Sequence, residues 1–386
     1  MAAFFKILSA RNSNDGYVVR FIMHEKEIKW TEKIAESAMS RHSKYMEKWC
    51  YELGLILKAI EAVYHQTGNI RYFNYIKEQM DRFIESDGAI KGYDQHEYNL
   101  DLVNPGRTLL FLYEKTHEKK YRIAAHSLHE QLKKQPRNHK GGFWHKGIYP
   151  HQMWLDGLYM SSPFYAQYAG IFNETEAYDD VLNQIMLLGE HTRDPHSGLL
   201  YHAWDESKGM KWSNDETGCS PHFWGRAVGW YMMALVDILD YFPTEHPGRP
   251  SILQILKSAA DALEKVQDKA TGVWFQVLDR AKEEGNYLEA SASCMFTYAL
   301  YKGVRMGYLD TSFMDSAERA YKGIFRQFVE TDGQGCVDLK SVCSVAGLGG
   351  NPYRDGSLAY YFSEPVATND YKGYGPFLLA SVEHNY

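Results

Sequence analysis

Trp49-Cys50-Tyr51-Glu52-Leu53-Gly54-Leu55-Ile56-Leu57-Lys58-Ala59-Ile60-Glu61-Ala62-Val63-Tyr64-His65-Gln66-Thr67-Gly68-Asn69 is the stretch from which the fold is read. Trp49, Leu53, Ile56, Leu57, Ile60, Val63 and Tyr64 recur at steps of three and four, the period of one helix face. Thr67-Gly68-Asn69 stops that helix, and a second helical pattern over roughly 71–85 follows at once. The same plan returns over 100–116 with 120–135, 153–170 with 175–192, 220–242 with 249–267, and 288–306 with 311–329. Single helices are predicted at about 27–41 and 369–384, giving twelve in all.

Between the pairs a glycine–apolar–aromatic loop recurs, at Gly88, Gly142, Gly198, Gly272 and, more weakly, Gly333. The intervals of 54, 56, 74 and 61 residues are too long for the ~33–34-residue units of tetratricopeptide or ankyrin arrays. Closing six hairpins into a ring, with the two terminal helices pairing, buries both faces of the inner helices. The predicted fold is therefore an all-α, six-hairpin (α/α)6 toroid with its long loops gathered at one mouth. An open solenoid is the alternative. Strand signals are confined to loops, for example Val273 to Leu278. Residues 1–25 read as a lead-in without a period, and 26–386 as one barrel domain.

The 386 residues carry 42 Lys+Arg against 49 Asp+Glu, a net charge of −7 with no long basic block, which argues against nucleic acid as a partner. No apolar run approaches the ~18 residues of a membrane span. The scattered, odd-numbered cysteines Cys50, Cys219, Cys294, Cys336 and Cys343 suit reduced thiols. Met1-Ala2-Ala3-Phe4-Phe5-Lys6 has too few apolar residues for a signal-peptide core, so a cytoplasmic location is expected. Aromatics reach 15%, and such rings stack on sugars as well as filling cores.

The anomaly of the sequence is Met153-Trp154-Leu155-Asp156-Gly157-Leu158-Tyr159-Met160, a carboxylate in an apolar helix start. Burial favours the neutral carboxyl, which suits a proton donor. The plain alternative is a carboxylate that stabilises the helix N-terminus. Asp101, in Leu100-Asp101-Leu102-Val103-Asn104, opens the preceding inner helix and would share the mouth, unless it merely caps that helix. His145 and His202 stand in equivalent loop copies. Arg226 lies between Trp224 and Trp230 and needs an anion, from the protein or from a ligand. His139, His145 and His151, and His126 with His129 and Glu130, do not match a zinc spacing, so no metal and no other cofactor is expected. Neither a P-loop nor a Gly-x-Ser-x-Gly elbow occurs. Ala346-Gly347-Leu348-Gly349-Gly350-Asn351-Pro352-Tyr353 reads as a mouth loop.

These residues resemble a known family. Gly141-Gly142-Phe143-Trp144-His145-Lys146 through Tyr149-Pro150, Gln152 to Met160, Tyr201-His202-Ala203-Trp204-Asp205, Glu216 to Pro221, Phe223 to Tyr231 and Thr368-Asn369-Asp370 look like the blocks of the unsaturated rhamnogalacturonyl hydrolases, glycoside hydrolase family 105. The resemblance covers about Trp49 to Ala380. It implies the same toroid, Asp156 as general acid/base and Asp101 as the second acidic residue. It further implies that Tyr51, His145, Lys146, His202, Trp224, Arg226 and Trp230 line the sugar pocket.

The implied partner is a small acidic oligosaccharide from pectin, cut by a lyase, and the protein would be a monomer or homodimer. The implied reaction is hydration of a C4–C5 enol ether in the terminal uronic acid. The loop from Cys343 to Ser363 differs within the family and is expected to help select the leaving sugar. Alternatives are a glucuronyl hydrolase on glycosaminoglycan, ulvan or arabinogalactan fragments, an inverting glycosidase on saturated sugars, and a non-enzymatic binding protein with an aromatic groove.

Overall fold

The computed structural model describes residues 29–41 and 43–386; the lead-in over 1–25 and the first residues of the helix expected at 27–41 lie outside the described residues. The helices are α1 (29–40), α2 (Tyr51–Thr67), α3 (Ile70–Asp81), α4 (Gly106–Thr116), α5 (Lys119–Lys134), α6 (Leu155–Phe172), α7 (Glu176–His191), α8 (Gly225–Ile238), α9 (Arg249–Val266), α10 (Ala290–Arg305), α11 (Met314–Phe328), α12 (Leu358–Ser363) and α13 (Tyr371–His384). α2, α4, α6, α8, α10 and α13 pack side by side, and α13 returns to α2 to close the ring. α3, α5, α7, α9 and α11 each pack on the inner helix that precedes them. α1 takes the sixth outer place: Thr31 Oγ1 donates to the Ser381 carbonyl and Tyr374 OH to the Ile34 carbonyl. The terminal helices therefore pair, and the fold is the six-hairpin toroid. The short α12 is an addition to the expected twelve.

Position in the ring follows from composition. Every residue of α8 is buried, as an inner helix enclosed on all sides requires, whereas α11 buries one face only. α6 tolerates Pro163 because Asn104 Nδ2 donates at 3.4 Å to the Tyr159 carbonyl, the acceptor that a proline four residues on leaves unserved. No helix among the described residues is long and apolar enough to cross a membrane.

The recurrent glycine loop is a tight turn placed directly after each of five outer helices. In each copy a residue before the turn exchanges main-chain hydrogen bonds across it: Glu85 with Gly88 and Ala89, Asn138 with Gly141 and Gly142, Asp194 with Gly198 and Leu199, Asp268 with Gly272 and Val273, Asp332 with Gly335 and Cys336. The left-handed position belongs to Gly88, Gly141, Gly198, Gly272 and Gly335, with φ between 77° and 90°. In the second and fifth copies it is thus Gly141 and Gly335, not Gly142 and Gly333, that the turn requires.

Past these turns the loops are laced together around the mouth. Leu100 N donates to the His145 carbonyl, His145 N to Gln152, Leu155 N to His202, Ser220 N to Ala203, Gly225 N to Gln276, Glu289 N to Trp274 and Ala290 N to Ser341. One part of this belt is a two-stranded antiparallel ribbon, β1 (Gln152–Trp154) with β2 (Ala203–Asp205), Trp154 facing Ala203. Val273 to Leu278, expected as a strand, makes only isolated bridges, Phe275 with Leu288 and Trp224 with Val277, because its partners belong to two different loops.

Candidate active site

The N-terminal ends of the inner helices deliver polar side chains to the mouth. Asp156 stands in the first turn of α6, whose N-cap is Trp154. No hydrogen bond joins the Asp156 side chain to a helix amide, and its Oδ2 is buried without a hydrogen-bond partner among the described residues. The side chain is 15% exposed, and His202 Nε2 lies 3.4 Å from Oδ2. The amide of Leu155 donating to the His202 carbonyl sets the two side by side. His202 is fixed from behind, its Nδ1 2.9 Å from Tyr361 OH.

Asp101 does not open α4. It lies on a 3-10 turn, Leu100–Leu102, and α4 begins at Gly106 because Pro105, at the N-cap, interrupts the pattern. Asn99 caps that turn by accepting from Asp101 N, which leaves the Asp101 carboxylate free. Lys146 Nζ takes it at 2.5 Å, and His145 Nε2 lies 3.6 Å away. Burial works to raise the Asp101 carboxyl, but Lys146 and His145 outweigh it and hold it below the usual range. Burial pushes His145 down to about 4, against the pull of Asp101 and Asp156, so the imidazole between the two carboxylates is neutral at neutral pH.

Aromatic rings wall the space. His145, Trp154 and Tyr149 form a stack with spacings of 4.8 and 5.0 Å, and Trp154 presents its edge to His202. Trp224 packs 4.7 Å from His202 and stacks on Tyr361. Trp230 is sandwiched between Tyr51, edge-on at 6.0 Å, and Tyr159, stacked at 4.8 Å. Both tryptophans are buried.

Arg226 is buried over the Trp224 ring; its Nη1 donates to the Cys343 carbonyl and to Ser291 Oγ, while Nη2 has no hydrogen-bond partner among the described residues. No carboxylate lies within ion-pair distance of Arg226 among the described residues. Glu289 is engaged instead by Ser291 Oγ, Ala292 N and Cys343 N. The structure thus brings Tyr51, Asp101, His145, Lys146, Asp156, His202, Trp224, Arg226 and Trp230 to one mouth.

Residues 24–385 match the model of Glycosyl Hydrolase Family 88. The chain belongs to that family. This family 88 chain is a glycoside hydrolase of the unsaturated glycuronyl hydrolase group. It is 48% identical to a family 105 glycoside hydrolase of C. acetobutylicum ATCC 824 of known structure, covering 92% of this chain and 99% of that one with a TM-score of 0.91. It is 29% identical to the unsaturated rhamnogalacturonyl hydrolase YesR of Bacillus subtilis (strain 168), over 74% of this chain and 78% of the relative. Its fold is shared with an unsaturated glucuronyl hydrolase of Bacillus sp. GL1, at 14% identity over 85% of this chain and 84% of that one, with a TM-score of 0.60.

Further residues lie beside these side chains; Tyr361 and Lys372 carry no signal in the sequence, whereas Asp370 stands in the Thr368-Asn369-Asp370 run already noted. Tyr361, which holds His202, is 159 positions away from it on α12. Lys372 and Asp370, joined at 2.8 Å, open α13 near Tyr45 and Glu52. Among the described residues two clusters have metal-ligand chemistry, His126 with His129 and Glu130, and His139 with His151 and Glu206; neither includes His145.

Proposed function

We propose that this enzyme is an unsaturated rhamnogalacturonyl hydrolase, releasing the 4,5-unsaturated uronic acid from the non-reducing end of lyase-cut oligosaccharides. The observation that carries this is the division of labour between two carboxylates at one mouth. Asp101 is committed to Lys146 as an anion, whereas Asp156 has a buried oxygen with no hydrogen bond among the described residues. A single uncommitted carboxyl group suits a reaction in which one residue gives a proton and then takes one back. The name of the B. subtilis relative supports the choice of sugar.

In this reading Asp156 delivers its proton to C4 of the enol ether, and positive charge develops at C5 and the ring oxygen. Water adds at C5, losing a proton to the Asp156 carboxylate. The hemiketal so formed opens between C5 and the ring oxygen. C1 then carries a hydroxyl beside the leaving sugar, collapses to the aldehyde and releases that sugar. His202, 3.4 Å from Asp156, orients the carboxyl group. The Nη2 of Arg226, unpaired among the described residues, receives the uronate carboxylate, while Trp224 supports Arg226 and His202 and Trp230 packs behind Tyr51. Because bond cleavage follows hydration, the carboxylate separation that distinguishes retaining from inverting displacement has no bearing.

The test is an ultraviolet time course, since hydration removes the absorbance of the conjugated double bond. Wild type is expected to consume unsaturated rhamnogalacturonan disaccharide. Asp156→Asn is expected to lose ~10²–10⁴-fold in kcat while keeping its melting temperature. Consumption of a glucuronyl or ulvan fragment alone transfers the mechanism to another sugar, and no consumption of any unsaturated uronide overturns it.

A further inference from the structure

The β1–β2 ribbon has two ends. One leads into Asp156 and His202. At the other, His151 precedes Gln152 and Glu206 follows Asp205, the pair that closes the ribbon. Glu206 N donates to the His151 carbonyl at 3.2 Å. His139 reaches the same point from the turn after α5. Its backbone N–H donates to Glu206 Oε2 at 2.9 Å, and its Nδ1 lies 2.9 Å from the same oxygen. His151 Nδ1 is 3.9 Å from that oxygen and has no hydrogen-bond partner among the described residues, although the atom is buried. The two imidazoles lie parallel, 5.7 Å apart, and one ligand atom from each of the three residues lies within 4.8 Å of the other two.

A hydrogen bond from His139 to Glu206 explains part of this. It leaves His151 Nδ1 unsatisfied, and it leaves an 85% exposed His139 side chain held against a carboxylate that its own backbone already serves. A cation accounts for all three groups. We propose that His139, His151 and Glu206 form a binding site for a divalent transition-metal ion of the zinc class. Two imidazoles and a carboxylate are ligands such ions accept, with bonds of roughly 2.0–2.2 Å. Tetrahedral bonds of that length set neighbouring ligand atoms about 3.3 Å apart, between the two spacings found here. The fourth position is left to water. The ion would clip three segments together: the Gly141 turn, the start of β1 and the end of β2. Its role is structural, holding the ribbon whose far end presents Asp156 and His202. The group on α5 is less suited, since His126 Nδ1 is already 2.9 Å from Tyr168 OH and His129 is stacked on the Tyr168 ring.

Full-length protein freed of metal with a chelator is titrated with Co(II) and then Zn(II). Wild type is expected to bind one equivalent of Co(II) with the visible bands of a tetrahedral ion, to exchange it for Zn(II), and to melt at a higher temperature with Zn(II) bound. His139→Ala removes an exposed side chain and leaves the packing intact. It is expected to weaken Co(II) binding by more than ~100-fold, since even an outer-shell partner is worth ~10–100-fold, and to abolish the thermal shift. The absence of saturable Co(II) binding overturns the proposal. So does binding that survives His139→Ala and disappears in His126→Ala.

Discussion

At the scale of single residues the site rests on what Lys146 does to Asp101. Lys146 is the largest influence opposing burial there, and His145 the next. Replacing Lys146 with Met removes the stronger of the two, so the Asp101 pKa rises. If the ionised Asp101 is needed for turnover, the acid limb of the kcat/KM pH profile must move to higher pH in Lys146→Met, because protonation then begins earlier. An unmoved acid limb means that the charge on Asp101 has no part in the reaction. The sequence makes such residues visible only where they are out of place. Asp156 and Arg226 stand among apolar and aromatic neighbours and are costly there without a function or a partner. Tyr361 is an aromatic among 29 tyrosines, and its link to His202 exists only after the loops have folded together.

Elements were legible where their signal is periodic and obscure where it is not. The twelve barrel helices follow from apolar steps of three and four, and their stops from Gly68 and similar residues. The start of α4 was not legible, because Leu100 and Leu102 continue an apolar pattern through a 3-10 turn that Pro105 separates from the helix. The first turn of α6 shows what such detail controls. Gly157 follows Asp156, and a Cβ placed there meets His145 Nδ1 at 2.9 Å and Leu100 Cδ1 at 3.3 Å. His145 cannot retreat, since Trp154 is stacked on its ring. Gly157→Ala is therefore expected to destabilise the fold by about 1–3 kcal/mol and to lower kcat on the order of 10- to 100-fold by displacing His145 and Asp156. Gly170→Ala, near the other end of the same helix, is the comparison, its Cβ meeting only the Tyr178 hydroxyl at 3.3 Å. Equal losses of kcat in the two variants would remove the special role of the Gly157 contact.

For the whole molecule, the toroid encloses charge as well as apolar surface. Below the mouth, Asp237 of α8 binds Arg107 of α4 at 2.8 Å and Lys302 of α10 at 2.7 Å, joining three inner helices across the barrel. Burial acts to raise the Asp237 carboxyl, but Lys302 and Arg107 overcome it and hold it far below the usual range. Burial also brings two histidines, His145 at the mouth and His129 on α5, down to about 4. All of these shifts have the same consequence in acid. A histidine near 4 in the folded state and ~6.5 when unfolded takes up its proton more readily after unfolding. Its contribution is complete above pH ~6.5 and is lost as the pH falls toward 4. Asp237 contributes above the ordinary carboxylate pKa of ~3.9 and loses that contribution below it. Acid destabilisation should therefore come in two stages, the first between pH ~6.5 and 4 from the histidines. Fully buried His145 sets an upper bound of ~3 kcal/mol for its own share. Urea denaturation at pH 7, 5.5, 4.5 and 3.5 measures both stages. His145→Asn is expected to flatten the decline between pH 7 and 4.5 while leaving the steeper loss below pH 4 in place, and a decline unchanged by His145→Asn would show that the mouth histidine is not held neutral by the fold.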